Sequence, residues 1–98
     1  MNASPLVSVV ITTYNRSDAL LAVLAGLTRQ TDSSFDVVVA DDGSRAEHQA
    51  VVLQAPVAKA LRVTHVWHPD VGFTASRVRN LGVAASRGAY IVFLDGDC

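Results

Sequence analysis

Phe35-Asp36-Val37-Val38-Val39-Ala40-Asp41-Asp42-Gly43-Ser44 is the stretch on which the fold turns. Phe35 to Ala40 is a short, nearly continuous apolar run rich in valine, as a strand covered on both faces should be. It breaks abruptly into two aspartates and a glycine, residue types that turn a chain. Outward from it lie three more runs: Leu6 to Ile11, Leu61 to Trp67 and Ala89 to Leu94. The first and last have the same Val/Ile-rich continuity and predict strands covered on both faces. Leu61-Arg62-Val63-Thr64-His65-Val66-Trp67 alternates in part and predicts a strand nearer the sheet edge.

The segments between these runs have helical spacing. In Ser17 to Arg29, Leu20, Leu21, Val23, Leu24 and Leu27 form a broad apolar stripe, with Ser17 placed to cap it. Ser44-Arg45-Ala46-Glu47 fits a capping box opening a helix that carries Val51, Val52 and Leu53. Phe73 to Arg87 is helical by Val78, Leu81 and Ala85, with Gly88 as its stop. The order β-α-β-α-β-α-β implies right-handed crossovers and a mainly parallel α/β sheet in one domain spanning residues 1–98. In such a sheet every strand's carboxyl end lies on one edge, where ligands of open α/β sheets bind.

Composition narrows the function. Half of the 98 residues are hydrophobic and 17% are charged, which excludes a disordered tail. Eight Lys and Arg meet nine Asp and Glu, so the chain lacks the basic surplus of a nucleic-acid binder. Its longest nearly apolar stretch, Ala19 to Leu27, is far short of a bilayer span, and residues 1–5 lack the basic start of a signal peptide. Cys98 is the single cysteine and has no internal partner. These features predict a cytoplasmic protein, peripheral at most to the inner face of the membrane.

The polar residues are placed unevenly. Thr12-Thr13-Tyr14-Asn15 follows the first run, Asp41-Asp42-Gly43-Ser44 the second and Asp95-Gly96-Asp97 the fourth, so four of the nine acidic residues fall at one predicted edge. Either acidic cluster alone reads as a turn. Together they read as a site: two carboxylates about 4 Å apart oppose each other by roughly 4 kcal/mol at an effective dielectric of 20 and are relieved by a cation. Oxygen donors without His or Cys suit Mg²⁺ or Mn²⁺, which are held by one or two carboxylates together with substrate phosphates. His48, His65 and His68 lack a zinc-like spacing with these carboxylates, and His65 reads as structural or exposed. No G-x-G-x-x-G or G-x-x-x-x-G-K-[ST] loop is present, and the lone lysine, Lys59, is outside any glycine loop. A bound nucleotide would therefore have its phosphates neutralised by a metal and arginines. Tyr14 would stack on the base, or else is a half-buried edge aromatic. Asp42 would accept from a ring N–H. Arg77, Arg79 and Asn80 open the last helix, either facing a diphosphate or forming a solvated face, with 77 and 80 on one side.

Val7-Ser8-Val9-Val10-Ile11-Thr12-Thr13-Tyr14-Asn15-Arg16, Val38-Val39-Ala40-Asp41-Asp42-Gly43-Ser44, Gly72-Phe73, Arg79-Asn80-Leu81-Gly82 and Arg87-Gly88-Ala89-Tyr90-Ile91-Val92-Phe93-Leu94-Asp95-Gly96-Asp97, in that order, resemble the amino-terminal half of family 2 glycosyltransferases. The resemblance implies a GT-A fold, a Rossmann-like three-layer α/β/α arrangement, ending here just after the D-x-D strand. It implies that Thr12, Tyr14 and Asp42 contact the nucleoside of a UDP-sugar and that Arg79 lies near the diphosphate. Asp95 and Asp97 would be the D-x-D that meets ribose and a Mn²⁺ or Mg²⁺ ion, with Asp97 ahead of Asp95 as the direct ligand. Thr12 stands where the family often has proline.

The implied reaction is metal-dependent, inverting transfer of a hexose from a nucleotide-diphosphate sugar to a hydroxyl of a glycan or lipid-linked acceptor, in polysaccharide, lipopolysaccharide or other glycan synthesis. The acceptor-binding half and the general base are expected beyond residue 98, so the chain alone is expected to bind donor without turnover. Three rivals remain. A sugar nucleotidyltransferase would carry glycines after the first strand, and Thr12 to Arg16 has none. A receiver-like Mg²⁺ domain would need acidic residues there and a lysine at the edge. A non-catalytic fragment would self-associate through an exposed sheet edge.

Overall fold

The computed structural model describes residues 7–29, 35–69 and 75–95. The chain runs β1 (Val7–Thr13), α1 (Ser17–Leu27), β2 (Phe35–Asp41), α2 (Ala46–Gln54), α3 (Pro56–Leu61), β3 (Thr64–Trp67), α4 (Ala75–Ala85) and β4 (Tyr90–Asp95). The four strands form one sheet in the order β3-β2-β1-β4, and every pairing is parallel. From β1 the chain moves outward through β2 to β3, then crosses back to place β4 on the other flank of β1. The reversal makes the carboxyl ends of β1 and β4 the switch point of the sheet, where a crevice opens in folds of this kind.

The two-residue period of a strand sorts the core into two layers. Val9, Ile11, Val37 and Val39 face α1, α2 and α3 and pack with Leu20, Leu24, Val52 and Ala58. Val10, Val38 and Ala40 point the other way and pack with Val78 of α4. β1 and β2 thus need apolar residues at consecutive positions because both their faces are covered. Full burial of one Val, Leu or Ile side chain contributes about 1.5–3 kcal/mol, so these rows dominate the stabilisation. The expected three-layer α/β/α architecture is the one observed.

Several details differ from the sequence reading. Pro56–Leu61 is a separate helix, with proline in its first turn, so β3 begins at Thr64 and not at Leu61. Proline lacks the N–H that a first turn leaves unused, and Arg62 then turns the chain at φ 54°. Ser44 does not cap α2: Arg45 precedes that helix, with no side-chain cap. Arg16, not Ser17, occupies the position before α1. α4 ends at Ala85, and Gly88 serves a different purpose from a helix stop. Its N–H donates to Ser8 Oγ at 2.7 Å, and a Cβ there would lie 2.5 Å from the Ser8 backbone nitrogen. Ser8 Oγ in turn donates to Asp36.

β4 departs most from expectation. Its continuous apolar run predicts cover on both faces, yet Tyr90, Val92 and Phe93 are 67%, 44% and 47% exposed, and among the described residues β4 is an edge strand. β3 lies at the opposite edge, as its alternation predicts. The strands also run further than their apolar runs: Thr12, Thr13, Asp41 and Asp95 are strand residues and not loop residues. Leu6, Phe73 and Asp70 lie outside the described residues.

Candidate functional site

Parallel register brings the polar strand ends together. Thr13 is level with Asp41, and Asp41 with Trp67, so the last residues of β1, β2 and β3 form one row. The ladder continues one step beyond them: Asp42 N–H donates to Thr13 O at 2.9 Å and His68 N–H to Asp41 O at 3.3 Å. Tyr14, Asp42 and His68 therefore leave the sheet side by side. Tyr14 is 42% exposed, a half-covered aromatic at the sheet edge with part of its surface open to solvent.

The two aspartates after β2 are in different situations. Asp41 is buried, and both of its oxygens are engaged: Oδ1 accepts from Ser44 N–H at 2.8 Å, and Oδ2 faces His65 Nε2 at 3.0 Å. Burial raises its pKa, but the hydrogen bonds from His65 and Ser44, with the pull of the His65 charge, outweigh it and hold the carboxyl below its ordinary value. An ionised carboxylate only accepts, so His65 carries its hydrogen on Nε2. Asp41 is thus committed to the fold. Asp42 is the carboxylate at the edge: its Oδ1 lies 2.9 Å from His68 Nε2, and its side chain is 18% exposed.

The loop joining these residues is tied at several points. Gly43 has φ 89°, a conformation that favours glycine. Asn15, at φ 50°, donates its N–H to Ser44 Oγ at 2.8 Å, while its Oδ1 accepts from Arg45 N–H at 2.9 Å. Ser44 O accepts from Gln49 Nε2 at 2.9 Å and Trp67 Nε1 at 3.1 Å. Neither the Asn15–Ser44 lacing nor the two His–Asp pairs was visible in the sequence. Partners 24 to 30 positions apart have no local spacing; only the β1–β2–β3 register brings them together.

At the switch point, Thr12 is level with Asp95 of β4. A cavity of about 350 Å³ opens beside this pair, lined by Thr12, Arg79, Phe93 and Leu94. The Arg79 guanidinium carbon stands 5.9 Å from the centre of the Phe93 ring, within the range of a cation–π contact. Of the residues opening α4, Arg79 lines this cavity, whereas Arg77 and Asn80 are exposed and are not among its lining residues. Asp95 enters as the last residue of β4, and Asp97 lies outside the described residues. The donor set offered by Asp95 and Asp97 is oxygen only, which fits Mg²⁺ or Mn²⁺. Among the described residues no group of three His, Cys, Asp or Glu is placed to hold a metal. His48 lies 3.0 Å by Nδ1 from Ser17 Oγ, with the Arg45 guanidinium 3.5 Å from its Nε2.

The family model described as glycosyl transferase family 2 matches residues 8–98. The chain belongs to glycosyl transferase family 2. Within the family it is 38% identical over 91 residues to a chondroitin synthase of Escherichia coli, a match covering 92% of this chain and 13% of that protein. It is 40% identical over 93 residues to a validoxylamine A glucosyltransferase of Streptomyces hygroscopicus subsp. jinggangensis, covering 93% of the chain and 22% of the relative. The crystal structure of S. aureus TarS residues 1–349 superposes with a TM-score of 0.80 at 25% identity, over 93% of this chain and 27% of that one. The chain thus spans less than a third of the length of each of these proteins, and the GT-A type of α/β fold expected from the resemblance is the fold it has.

Proposed function

We propose that the chain is the donor-binding part of a glycosyltransferase that moves a sugar from a nucleotide diphosphate, UDP by preference, to a hydroxyl of a growing glycan. The observation that carries this reading is the convergence of Thr12, Tyr14, Asp42 and Asp95 from the carboxyl ends of three adjacent parallel strands in a family 2 member. Relatives named for chondroitin and hyaluronan synthesis support a polysaccharide product.

In this reading Tyr14 offers its exposed ring to the base, and Asp42 accepts from the base's ring N–H. Thr12 contacts the nucleoside, and Arg79 balances the diphosphate from the rim of the cavity. Asp95 and Asp97 would hold a Mn²⁺ or Mg²⁺ ion, and Asp95 would also meet the ribose. A bound Mn²⁺ or Mg²⁺ supplies positive charge against the diphosphate as the nucleotide leaves. Attack of the acceptor hydroxyl opposite the leaving group inverts the anomeric centre. No base for the acceptor proton is assigned among the described residues. Among those same residues no helix is long and apolar enough to cross a membrane.

Calorimetric titration of UDP with and without Mn²⁺ tests the reading. Binding is expected to require Mn²⁺ and to favour UDP over ATP. Asp97→Asn is expected to abolish the metal-dependent part, and Asp42→Ala to weaken binding about tenfold, the effect of one hydrogen bond to a charged group, with metal dependence kept. Unchanged affinity in both folded variants sinks the assignment.

A further inference from the structure

We propose that His68 is a positioning residue that fixes Asp42 for recognition of the pyrimidine base, an inference that rests on the nucleotide reading above. His68 is the residue immediately after β3, as Asp42 is the residue immediately after β2 and Tyr14 the one after β1. Its backbone is anchored, because its N–H donates to Asp41 O at 3.3 Å. Its side chain is 9% exposed and meets Asp42 Oδ1 through Nε2 at 2.9 Å.

An ionised carboxylate accepts at about four lone-pair positions, and His68 takes one of them. The consequence is geometric. An aspartate at a loop position has rotamer freedom, and a donor fixed by the fold removes it before a ligand arrives. It is also chemical. A carboxylate whose hydrogen-bond donor is a histidine N–H remains an acceptor toward the base. Uracil presents a donor at N3 and is matched by such an acceptor, whereas cytosine presents an acceptor at N3 and is opposed by it. A site built to receive a ring N–H rejects an analogue lacking it more strongly than a shape-based pocket would. The neighbouring pair of His65 and Asp41 has the same chemistry but both members buried, at 9% and 3% side-chain exposure, so it is left to the loop's own structure.

The test compares His68→Gln, which keeps an N–H donor near the place of Nε2, with His68→Leu, which keeps bulk and removes the donor. UDP and CDP titrations are run with Mn²⁺ present and circular dichroism confirming the fold of each variant. His68→Leu is expected to lose about tenfold in UDP affinity and most of the preference for UDP over CDP, while His68→Gln stays within about threefold of the parent on both. In an Asp42→Ala background, His68→Leu is expected to cost no further affinity, because a residue that acts through Asp42 has nothing left to position. Undiminished UDP affinity in folded His68→Leu overturns the inference, and so does an equal loss with and without Asp42. A parent chain that binds UDP while His68→Leu behaves like it defeats this inference alone. A folded parent chain that binds no nucleotide defeats the nucleotide reading and this inference with it.

Discussion

Asp41 shows how much a single carboxylate organises at this edge. Its side chain is 3% exposed, and it holds His65 on one oxygen and the turn at Ser44 on the other. Its carboxyl titrates below the ordinary value of 3.8 because those hydrogen bonds outweigh the effect of burial. The unfolded chain therefore takes up this proton first as pH falls, and the stabilisation is complete above the unfolded value and lost as pH drops through the folded one. Asp41→Asn is expected to lower unfolding free energy by about 1.5–3 kcal/mol at neutral pH. It is also expected to flatten the decline in stability below about pH 5, both read by urea denaturation from neutral pH downward. An equally steep decline in the variant would assign the acid sensitivity to other carboxylates.

At the scale of elements, α4 is held unusually close to the sheet. A Cβ at Gly82 would stand 2.6 Å from Val10 Cγ1 and 3.2 Å from the Ala40 Cβ. Both neighbours are fully buried, so neither can swing away. Gly82→Ala sets a helix-propensity gain of about 1 kcal/mol against an overpacking cost of typically about 1–3 kcal/mol. Overpacking is expected to win, giving a net loss of about 1 kcal/mol in chemical denaturation. The same change at Gly26, where a Cβ meets nothing within 4 Å, is expected to stabilise α1 by a few tenths of a kcal/mol to about 1 kcal/mol. The contrast matters for the site because α4 also carries Arg79 to the rim of the cavity.

Among the described residues the sheet has two edge strands, β3 and β4, and β4 is the more apolar. β4 shows Tyr90, Val92 and Phe93 to solvent, and among the described residues no strand pairs with its outer edge. An open apolar edge of this kind templates pairing with another chain. Sedimentation velocity is expected to show association that grows with concentration and is reduced by Val92→Lys. Ligand linkage acts on the same global scale. UDP with Mn²⁺ at 100 times its dissociation constant is expected to add about 2.7 kcal/mol. For a domain of this size that raises the melting temperature by about 10–20 °C, and Asp97→Asn is expected to remove the shift.

The sequence by itself determined the alternation of strands and helices, the parallel sheet, a strand at Phe35–Ala40 covered on both faces, and the positions of Thr12, Tyr14, Asp42 and Asp95 at one edge. Those properties follow from local pattern: consecutive valines need cover on two faces, and strands separated by helices must run parallel. The resemblance singled out Asp42, and tertiary structure alone supplied the reason: it engages both oxygens of Asp41 within the fold and sets Asp42 at the edge. Asp41 and Asp42 are adjacent and identical in type, and they differ because β2 alternates its side chains between environments and because β3 brings His65 to one and His68 to the other. It likewise decided that among the described residues β4, as apolar as β2, lies at an edge, since a strand's cover depends on which neighbours the crossovers supply. The lacing of Asn15 to Ser44 and the pairing of His68 with Asp42 link residues 29 and 26 positions apart. Such contacts are set by register across the sheet, a property that no single stretch of sequence contains.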